Sequence, residues 1–433
     1  MSRNWVLVAL TTAALVAALP AQAGTWSATR TLERPFAASS VPSPPLAAVN
    51  GNGHALLAWN ATGTVRYAER VKGGAWQRPG PVPGGSTGAG PVALAIGNNE
   101  VAAIAYTTAP TRYTPSKLMV SLRAAGGSFG DAVEPVPGVV AGELRLGVAC
   151  DGSVTLLWSD ANGVWISSHV GTGGTGACDG QPGVGPWSPP RLLSQGRSGT
   201  ALPDLAVNDA GAALAVWQEG AAGNPSAIGA AVREAGADWA PAQTISAATG
   251  RATWNPKPGL DAAGNAGVGF LDGNTMVVVT RPAAGAWGTP VPVSGTQAAY
   301  YPAFAVSAQG DMLASWLALD LSNIGSIWSV TAAGGGPWTA PVRLSARSES
   351  ADWPTAAYAG DGSVALVGWT DNATNTVRAS VLAIGGWSRR RLGTGYWGGQ
   401  VPVAAGGGAA VAVWATTSGG NPNAGLLVAR SWQ

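Results

Sequence analysis

The sequence predicts an all-β protein folded as an eight-bladed β-propeller. Three observations lead there: an internal repeat, the make-up of each copy and the apolarity of its second strand. A unit of about 50 residues recurs eight times, and a period in this range is typical of rings or arrays of small sheets. Each copy has an apolar run that ends in an aromatic residue, then a Gly-rich turn and a further aromatic residue. The run-ending residues, the anchor aromatics, are Trp59, Tyr106, Trp158, Trp217, Phe270, Trp316, Trp369 and Trp414.

The fourth copy indicates how one unit folds. Residues 203–207 form an extended run, 208–211 a tight turn, and a second apolar run ends at Trp217. A loop and a third run at 227–233 precede another turn and a fourth strand that starts at Trp239. Asn, Asp and Gly at the turns tolerate positive φ angles. Four short strands joined by turns indicate an antiparallel meander.

The second strand of each copy indicates how the units are arranged. Residues 55–59, 212–217 and 364–369 are apolar at nearly every position, whereas a sheet with one wet face alternates. Both faces must therefore be covered, and sheets stacked face to face in a ring achieve this. Seven blades are the alternative, because the third repeat is longer and the last one shorter than the others.

The two ends of the repeat region predict how the ring closes. The last copy ends after its third strand, and residues 26–33 match the missing fourth strand. The N-terminal strand is therefore expected to pair into the last blade. Trp26 and Trp432 then compete for one equivalent position, and the sequence leaves open which of them fills it.

The first 23 residues differ from the repeats. Arg3, an apolar run at 5–19 and the sequence Ala21-Gln22-Ala23 are typical of a secretory signal peptide cleaved after Ala23. We expect a secreted or periplasmic protein, with residues 24–433 forming a single propeller domain. No later apolar stretch reaches the roughly 18 residues of a membrane span. The net charge is +2 without a strong basic cluster, which argues against a nucleic-acid partner. No cofactor motif is present, and a monomer is expected.

The repeats resemble those of secreted bacterial β-propeller proteins of the sialidase-like, BNR-repeat type. The segment 205–217, followed by a Gly-x-Trp turn, carries the resemblance. It covers the whole mature chain and implies the propeller fold. The Asp-box of sialidases, S-x-D-x-G-x-x-W, is absent, so no catalytic residue is carried over. Fold alone does not define function.

The two cysteines predict a disulfide. Cys150 lies at the first turn of the third blade, and Cys178 lies in that blade's insert at 171–185. Both positions are on the same face of one blade, and an exported protein favours the oxidised form. Two free thiols are the alternative.

The most distinctive polar and aromatic residues fall on one face of the ring. The crossovers between blades and the loops between second and third strands share this face, called the top. Aromatic residues outside the repeat pattern occupy the crossovers into blades five to eight, at Trp254, Tyr300, Tyr301, Trp353, Tyr396 and Trp397. Arg251 and Arg347 lie in the same crossovers, and Asp272 and Asp371 follow anchor aromatics. Aromatic platforms beside polar groups suit sugar rings, and a concave mouth is the default site. Alternatively, the aromatics wedge the blades apart and the acids are turn residues.

These features favour an exported, non-catalytic propeller that binds a glycan or an extracellular protein on its top face. One alternative is a sialidase-like glycoside hydrolase or lyase, which would need two carboxylates across the substrate. Its candidates are Asp204, Asp272, Glu349, Asp352 and Asp371. A second alternative is an interaction scaffold without a small ligand. The two histidines, His54 and His169, fall at separate places, and no catalytic residue or metal ligand is predicted.

Overall fold

The computed structural model describes residues 24–37, 45–61, 63–85, 88–110, 112, 115–173, 178–221, 224–383, 386–394, 400–418 and 421–433. The predicted signal peptide, residues 1–23, lies outside this part. The described residues form 31 strands. None of them belongs to a helix that could cross a membrane.

The strands form eight sheets, numbered as blades in chain order. The strand β1 (Arg30–Ala37) comes first in the described chain. Blade 1 consists of β2 (Leu46–Val49), β3 (Ala55–Ala61), β4 (Thr64–Arg70) and β5 (Gly80–Pro81), and blade 2 of β6 (Gly88–Ile96), β7 (Ala102–Thr108) and β8 (Leu118–Arg123). Blade 3 consists of β9 (Leu144–Val148), β10 (Val154–Asp160), β11 (Gly163–His169) and β12 (Arg191–Leu192). Blade 4 consists of β13 (Ala201–Val207), β14 (Ala213–Ala221), β15 (Asn224–Arg233) and β16 (Gln243–Thr244). Blade 5 consists of β17 (Thr253–Leu260), β18 (Ala266–Asp272), β19 (Thr275–Arg281) and β20 (Val291–Pro292), and blade 6 of β21 (Tyr300–Val306), β22 (Met312–Leu319), β23 (Gly325–Ala332) and β24 (Val342–Arg343). Blade 7 consists of β25 (Ala351–Tyr358), β26 (Ala365–Asp371), β27 (Thr376–Ala383) and β28 (Gly386–Thr394). Blade 8 consists of β29 (Val403–Gly406), β30 (Ala409–Ser418), β31 (Asn421–Trp432) and β1.

The blades are arranged as a closed ring. Within each blade, consecutive strands pair antiparallel. The first strand of each blade contacts the first strands of both neighbours, and β2 meets β29 to complete the circle. The predicted eight-bladed β-propeller is confirmed, and the seven-bladed alternative is wrong. In blade 2 the fourth strand is reduced to a bridge between Val120 and Val133.

The fourth strands of blades 1 and 3 to 6 have only two residues each and are shorter than the sequence predicts. In blade 4, Trp239 makes only an isolated bridge with Arg233, and regular pairing is limited to Gln243–Thr244. Prolines follow the tryptophan within three residues in blades 3 to 6. A proline has no N–H to donate to the neighbouring strand, so the ladder is interrupted at the outer edge.

The core lies between the blades, where the repeat predicts it. All seven residues of β3 are buried, which explains the continuous apolar runs. Seven anchor aromatics are almost fully buried, and Trp414 is 3% exposed. The aromatic residues after the Gly-rich turns, such as Trp76 and Trp338, pack against the edges of the same clusters. The anchor aromatics therefore fill the space between neighbouring sheets.

The N-terminal strand closes the ring, as predicted. Pairing runs from Arg30 opposite Ala429 to Ala37 opposite Ala424, and β1 becomes the outer strand of blade 8. Trp26 and Trp432 do not compete, because they face each other across an antiparallel bridge. Trp432 is buried, and Trp26 packs partly exposed against the same cluster.

The face opposite the top, called the bottom, carries the turns between first and second strands and is held together by hydrogen bonds between blades and by the disulfide. Asn208 Nδ2 donates to the carbonyl of Asp261 in the next blade at 2.9 Å, and Asn99 Nδ2 donates to that of Ala149 at 2.9 Å. The predicted disulfide between Cys150 and Cys178 is confirmed, with the two Cα atoms 4.4 Å apart.

Candidate functional site

The innermost strands of blades 4 to 7 all begin with the same irregularity. In each, the pairing with the second strand shifts register next to an X-Pro dipeptide. The residue before the proline has a positive φ, at 48° for Leu202, 51° for Asn255, 45° for Tyr301 and 53° for Trp353. These four residues, the mouth arc, lie at the top ends of four neighbouring innermost strands, and the top end of the ring's centre is called the mouth.

The mouth arc holds backbone strain. A non-glycine residue at positive φ costs on the order of 1–3 kcal/mol, and a following proline restricts its conformation further. The extra residue at such a bulge redirects its side chain. Because four successive blades repeat the strained geometry, the repeat sequence itself specifies it.

Two members of the mouth arc form an aromatic pair. The ring centroids of Tyr301 and Trp353 lie 4.3 Å apart, with 36° between the ring planes. Tyr301 is 38% exposed, and Trp353 is half-buried. Two blades therefore contribute one aromatic platform, which the sequence predicted as part of a ligand site.

Two aromatic residues that directly precede mouth-arc residues, Trp254 before Asn255 and Tyr300 before Tyr301, have a different environment. Trp254 packs against the core between blades 5 and 6, and Tyr300 packs against the core between blades 6 and 7. The Tyr300 hydroxyl accepts a hydrogen bond from Asn274 Nδ2 at 3.2 Å. Both side chains therefore contribute to packing between blades.

The charged residues predicted for the site are placed unequally. Arg251 and Arg347 are exposed. Asp272 is half-buried and accepts a hydrogen bond from Thr249 Oγ1 at 2.7 Å. Asp371 is 0% exposed. Trp397 and its neighbour Tyr396 lie outside the described residues.

The Asp371 carboxylate is engaged by its own blade. It accepts hydrogen bonds from the backbone N–H of Ser350 at 3.2 Å and of Ala373 at 3.1 Å. Arg378 Nη2 lies 3.4 Å from its Oδ2. Burial raises the pKa of Asp371, but the hydrogen bonds from Thr374, Ser350 and Ala373 outweigh burial and hold it below its usual value. Asp371 therefore stabilises the loop between the second and third strands.

A cluster of charged side chains joins the innermost strands of blades 3 to 5. Arg145 Nε lies 2.9 Å from Asp204 Oδ1, and Lys257 Nζ lies 3.1 Å from Asp204 Oδ2. Glu143 Oε2 lies 3.7 Å from Arg145 Nη2. These four residues are called the ion cluster. Their side chains keep 18–35% of their surface exposed, so they remain accessible to a ligand.

The ion cluster contains two carboxyl groups whose pKa values are shifted in opposite directions. Burial would raise the pKa of Asp204, but Lys257 and Arg145 lower it to about 2. Burial raises the pKa of Glu143 above its usual value, and the charges of Arg145 and Lys257 only partly oppose this. Such divergence between neighbouring carboxyl groups is a recognised mark of functional sites.

Sequence reasoning considered Asp204 but missed its partners. Asp204 and Lys257 each follow the proline that comes after a mouth-arc residue, in Pro203-Asp204 and Pro256-Lys257. Opposite charges at equivalent positions of successive repeats were the available signal. Arg145 lies at a similar distance before the first turn of blade 3, but no X-Pro dipeptide precedes it, so the repeat pattern did not mark it.

One further carboxyl group lies beside the aromatic pair. Asp352 directly precedes Trp353 and accepts a hydrogen bond from its backbone N–H at 2.8 Å. Burial raises the pKa of Asp352, with a smaller opposing effect of the hydrogen bonds from Trp353 and Asn372. The mouth thus combines an aromatic platform, the ion cluster and a carboxyl group whose pKa is raised by burial.

Comparisons with known proteins support the fold. No protein-family model and no curated protein sequence matches the chain. Among solved structures, the polysaccharide lyase Uly1 is similar with a TM-score of 0.52 and 9% identity, over 82% of this chain and 93% of that one. A fucose lectin of Aleuria aurantia has a TM-score of 0.44 and 13% identity, over 85% of this chain and 100% of that one. A Hadza microbial sialidase has a TM-score of 0.38 and 10% identity, over 61% of this chain and 60% of that one.

At these identities the likeness concerns the fold alone. The fold is a β-propeller, as the strand topology shows, and the polysaccharide lyase Uly1 has a similar fold. The function has to be argued from the site.

Proposed function

We propose that the protein is an exported β-propeller that binds a glycan on its top face without transforming it. The observation that carries the proposal is the aromatic pair of Tyr301 and Trp353, presented at the mouth on strained backbone. A sugar ring has an apolar face of C–H groups that packs on an aromatic ring, and a polar edge that needs hydrogen-bonding groups. Strain repeated at one rim favours a functional reason for presenting these side chains.

The polar partners for such a ligand lie on neighbouring blades. Lys257 and Glu143 in the ion cluster are partly exposed. The side chain of Asn255, within the mouth arc, is half-buried. A glycan lying across the mouth would contact the aromatic pair of blades 6 and 7 and the polar groups of blades 3 to 5.

The proposed location agrees with the chemistry of the chain. The predicted signal peptide would export the protein, and the Cys150–Cys178 disulfide is compatible with an oxidising compartment. Similarity to the polysaccharide lyase Uly1 supports a carbohydrate ligand only through the shared fold.

A glycan array tests the proposal. We expect the wild-type protein to bind a subset of glycans, and the double variant Tyr301→Ala/Trp353→Ala to lose at least about tenfold in affinity, because hot-spot aromatic residues carry 2 kcal/mol or more. Leu321→Ser is the matched control, because Leu321 is a fully exposed apolar residue on the top loop of blade 6. Unchanged binding in the double variant would refute the site.

The raised pKa values of Glu143 and Asp352 favour a second candidate, a glycoside hydrolase or lyase. A carboxyl group that is protonated near neutral pH can act as a general acid. Activity on a panel of chromogenic glycosides and acidic polysaccharides distinguishes the two candidates. If the protein is an enzyme, Glu143→Gln or Asp352→Asn should lower the rate about a hundredfold or more, whereas Glu134→Gln on the outer part of blade 2 should not.

A further inference from the structure

Three anchor tryptophans share an arrangement with a carboxylate and an arginine. In each, the buried indole N–H donates to a glutamate that an arginine also contacts. The trios are Trp59, Glu33 and Arg66 in blade 1; Trp217, Glu219 and Arg197 in blade 4; and Trp369, Glu349 and Arg378 in blade 7. In blade 4, Trp217 Nε1 lies 2.8 Å from Glu219 Oε1, and Arg197 Nη1 lies 3.0 Å from Glu219 Oε2.

The glutamates of these trios come from unrelated parts of the chain. Glu33 lies in the closing strand β1, Glu219 follows its anchor by two residues, and Glu349 lies in a crossover between blades. A buried indole N–H is stabilised by an acceptor, and a partly buried arginine is stabilised by a counter-charge. A carboxylate therefore accepts the indole N–H of an anchor tryptophan in three blades, although it comes from a different position of the repeat each time.

Blade 8 also has an anchor tryptophan and nearby arginines, but no described glutamate lies beside them. Trp414 is 3% exposed, and its Nε1 has no hydrogen-bond partner among the described residues. The indole borders a cleft of about 550 Å³ between β28 of blade 7 and strands β30, β31 and β1 of blade 8. Arg391 and Arg430 line this cleft. Trp414 pairs across the sheet with Val428, at the register where Trp59 pairs with Arg66, so the cations here come from other positions.

The walls of the cleft offer donors and no carboxylate. Thr29, Thr31, Thr394 and Thr416 also line the cleft, and the Thr416 hydroxyl donates to the carbonyl of Thr394 at 2.8 Å. No Asp or Glu is among its lining residues, and the described part of the chain contains every acidic residue of the sequence. Arg430 Nε donates to Thr29 Oγ1 at 2.8 Å, which orients one guanidinium along the wall.

We propose that this cleft binds the carboxylate of an external ligand, in the place that a glutamate takes in blades 1, 4 and 7. The Trp414 N–H and the two guanidinium groups would hold the carboxylate oxygens, as charge-assisted donors do. The size of the cleft and its threonine hydroxyls fit a sugar acid better than a bare carboxylate. The site is separate from the mouth and does not depend on the function proposed there.

Indole N–H signals in a ¹⁵N–¹H NMR spectrum of the full chain test the proposal. Trp414→Phe removes one signal and so assigns it, and Trp316→Phe assigns a matched control, since the Trp316 N–H is also buried and unpartnered and does not line this cleft. The probes are sodium glucuronate, sodium acetate and neutral glucose. We expect glucuronate to shift the Trp414 signal saturably and to leave the Trp316 signal in place.

Arginine variants give an independent readout that does not require the tryptophan substitution to fold. Arg391→Gln and Arg430→Gln should each weaken glucuronate binding by about tenfold, the value of one charge-assisted hydrogen bond. Tighter binding of glucuronate than of acetate identifies a sugar acid, whereas equal binding identifies a bare carboxylate; both support the carboxylate site. No shift of the Trp414 signal with either acid, or an equal shift with glucose, overturns it. The Tyr301→Ala/Trp353→Ala variant should keep the shift, which separates this site from the mouth.

Discussion

At the scale of single residues, the mouth arc shows how a local conformation decides which side chain is presented. Tyr300 and Tyr301 are adjacent, yet Tyr300 packs between blades and Tyr301 is exposed at the mouth. The register shift between Tyr300 and Ala303 accommodates the extra residues. Sequence reasoning identified both tyrosines but could not separate them, because the bulge depends on pairing with the second strand.

Replacing Leu202 by asparagine tests the strain in the mouth arc. Leu202 has a φ of 48° and is 38% exposed. Asparagine tolerates the left-handed region better than leucine, so relief of about 1 kcal/mol should offset the lost contacts. The free energy of unfolding in urea should stay constant or rise.

Leu205→Asn is the matched control on the same strand. Leu205 packs against the core between blades 3 and 4, so its replacement should lower the free energy of unfolding by about 2–3 kcal/mol. Equal losses in the two variants would contradict the assignment of strain.

A second prediction at this scale concerns a carboxylate on the bottom face. His54 Nδ1 lies 2.5 Å from Glu100 Oε2, and Asn52 Nδ2 donates to Glu100 Oε1 at 2.8 Å. Burial would raise the pKa of Glu100, but the hydrogen bonds from His54, Asn52 and Asn50 lower it to about 2. Glu100 therefore contributes stability above its ordinary pKa of about 4.5 and loses that contribution as the pH falls toward 2.

Urea denaturation at pH values of about 6 and 3 measures this effect. Glu100→Gln should be less stable than the wild type at the higher pH, and the gap should narrow at the lower pH. Asp238→Asn, at an exposed carboxylate, should show neither change. A gap that is constant with pH would show that the Glu100 charge does not contribute.

At the scale of elements, the repeat period and the strand patterns predicted the blades, because each blade is a local meander. The ion cluster was largely missed, because Arg145, Asp204 and Lys257 come from three blades and meet only in the ring. The burial of Asp371 within its own blade could not be predicted from the sequence either. Its hydrogen-bond donors at Ser350 and Ala373 lie on both sides of β26, and no sequence pattern marks them.

The disulfide is expected to stabilise blade 3. It joins the first turn to the long insert across 28 residues of chain. Reduction, or the Cys150→Ser/Cys178→Ser variant, should cost about 3.5 kcal/mol in the chain-entropy model and lower the melting temperature. Reductant should have no effect on the double variant. A wild-type melting temperature that does not respond to reductant would contradict a stabilising role.

At the scale of the whole molecule, stability depends on closing the ring. The strand β1 covers the edge of β31, and its Glu33 also contacts Trp59 and Arg66 of blade 1. The first and last described segments therefore join blade 8 to blade 1. The sequence predicted the closing strand because the last repeat lacks its fourth strand, but the role of Glu33 required the assembled ring.

Deleting residues 24–37, which include the whole of β1, should open the ring. We expect a lower melting temperature and self-association, because the edge of β31 becomes free to pair with another chain. Arg30→Ala, which keeps the backbone pairing of β1 with β31, is the control. A monomeric deletion variant with the wild-type melting temperature in size-exclusion and melting experiments would show that closure contributes little.

The proposed function depends on glycan binding by the mouth arc on the top face. The most direct test is a crystal structure with the oligosaccharide that binds best on the glycan array. The structure should show a sugar ring against Tyr301 and Trp353, with hydroxyl groups directed toward the ion cluster. A sugar bound only at the bottom turns or on the outer strands, with the mouth free of it, would contradict the claim.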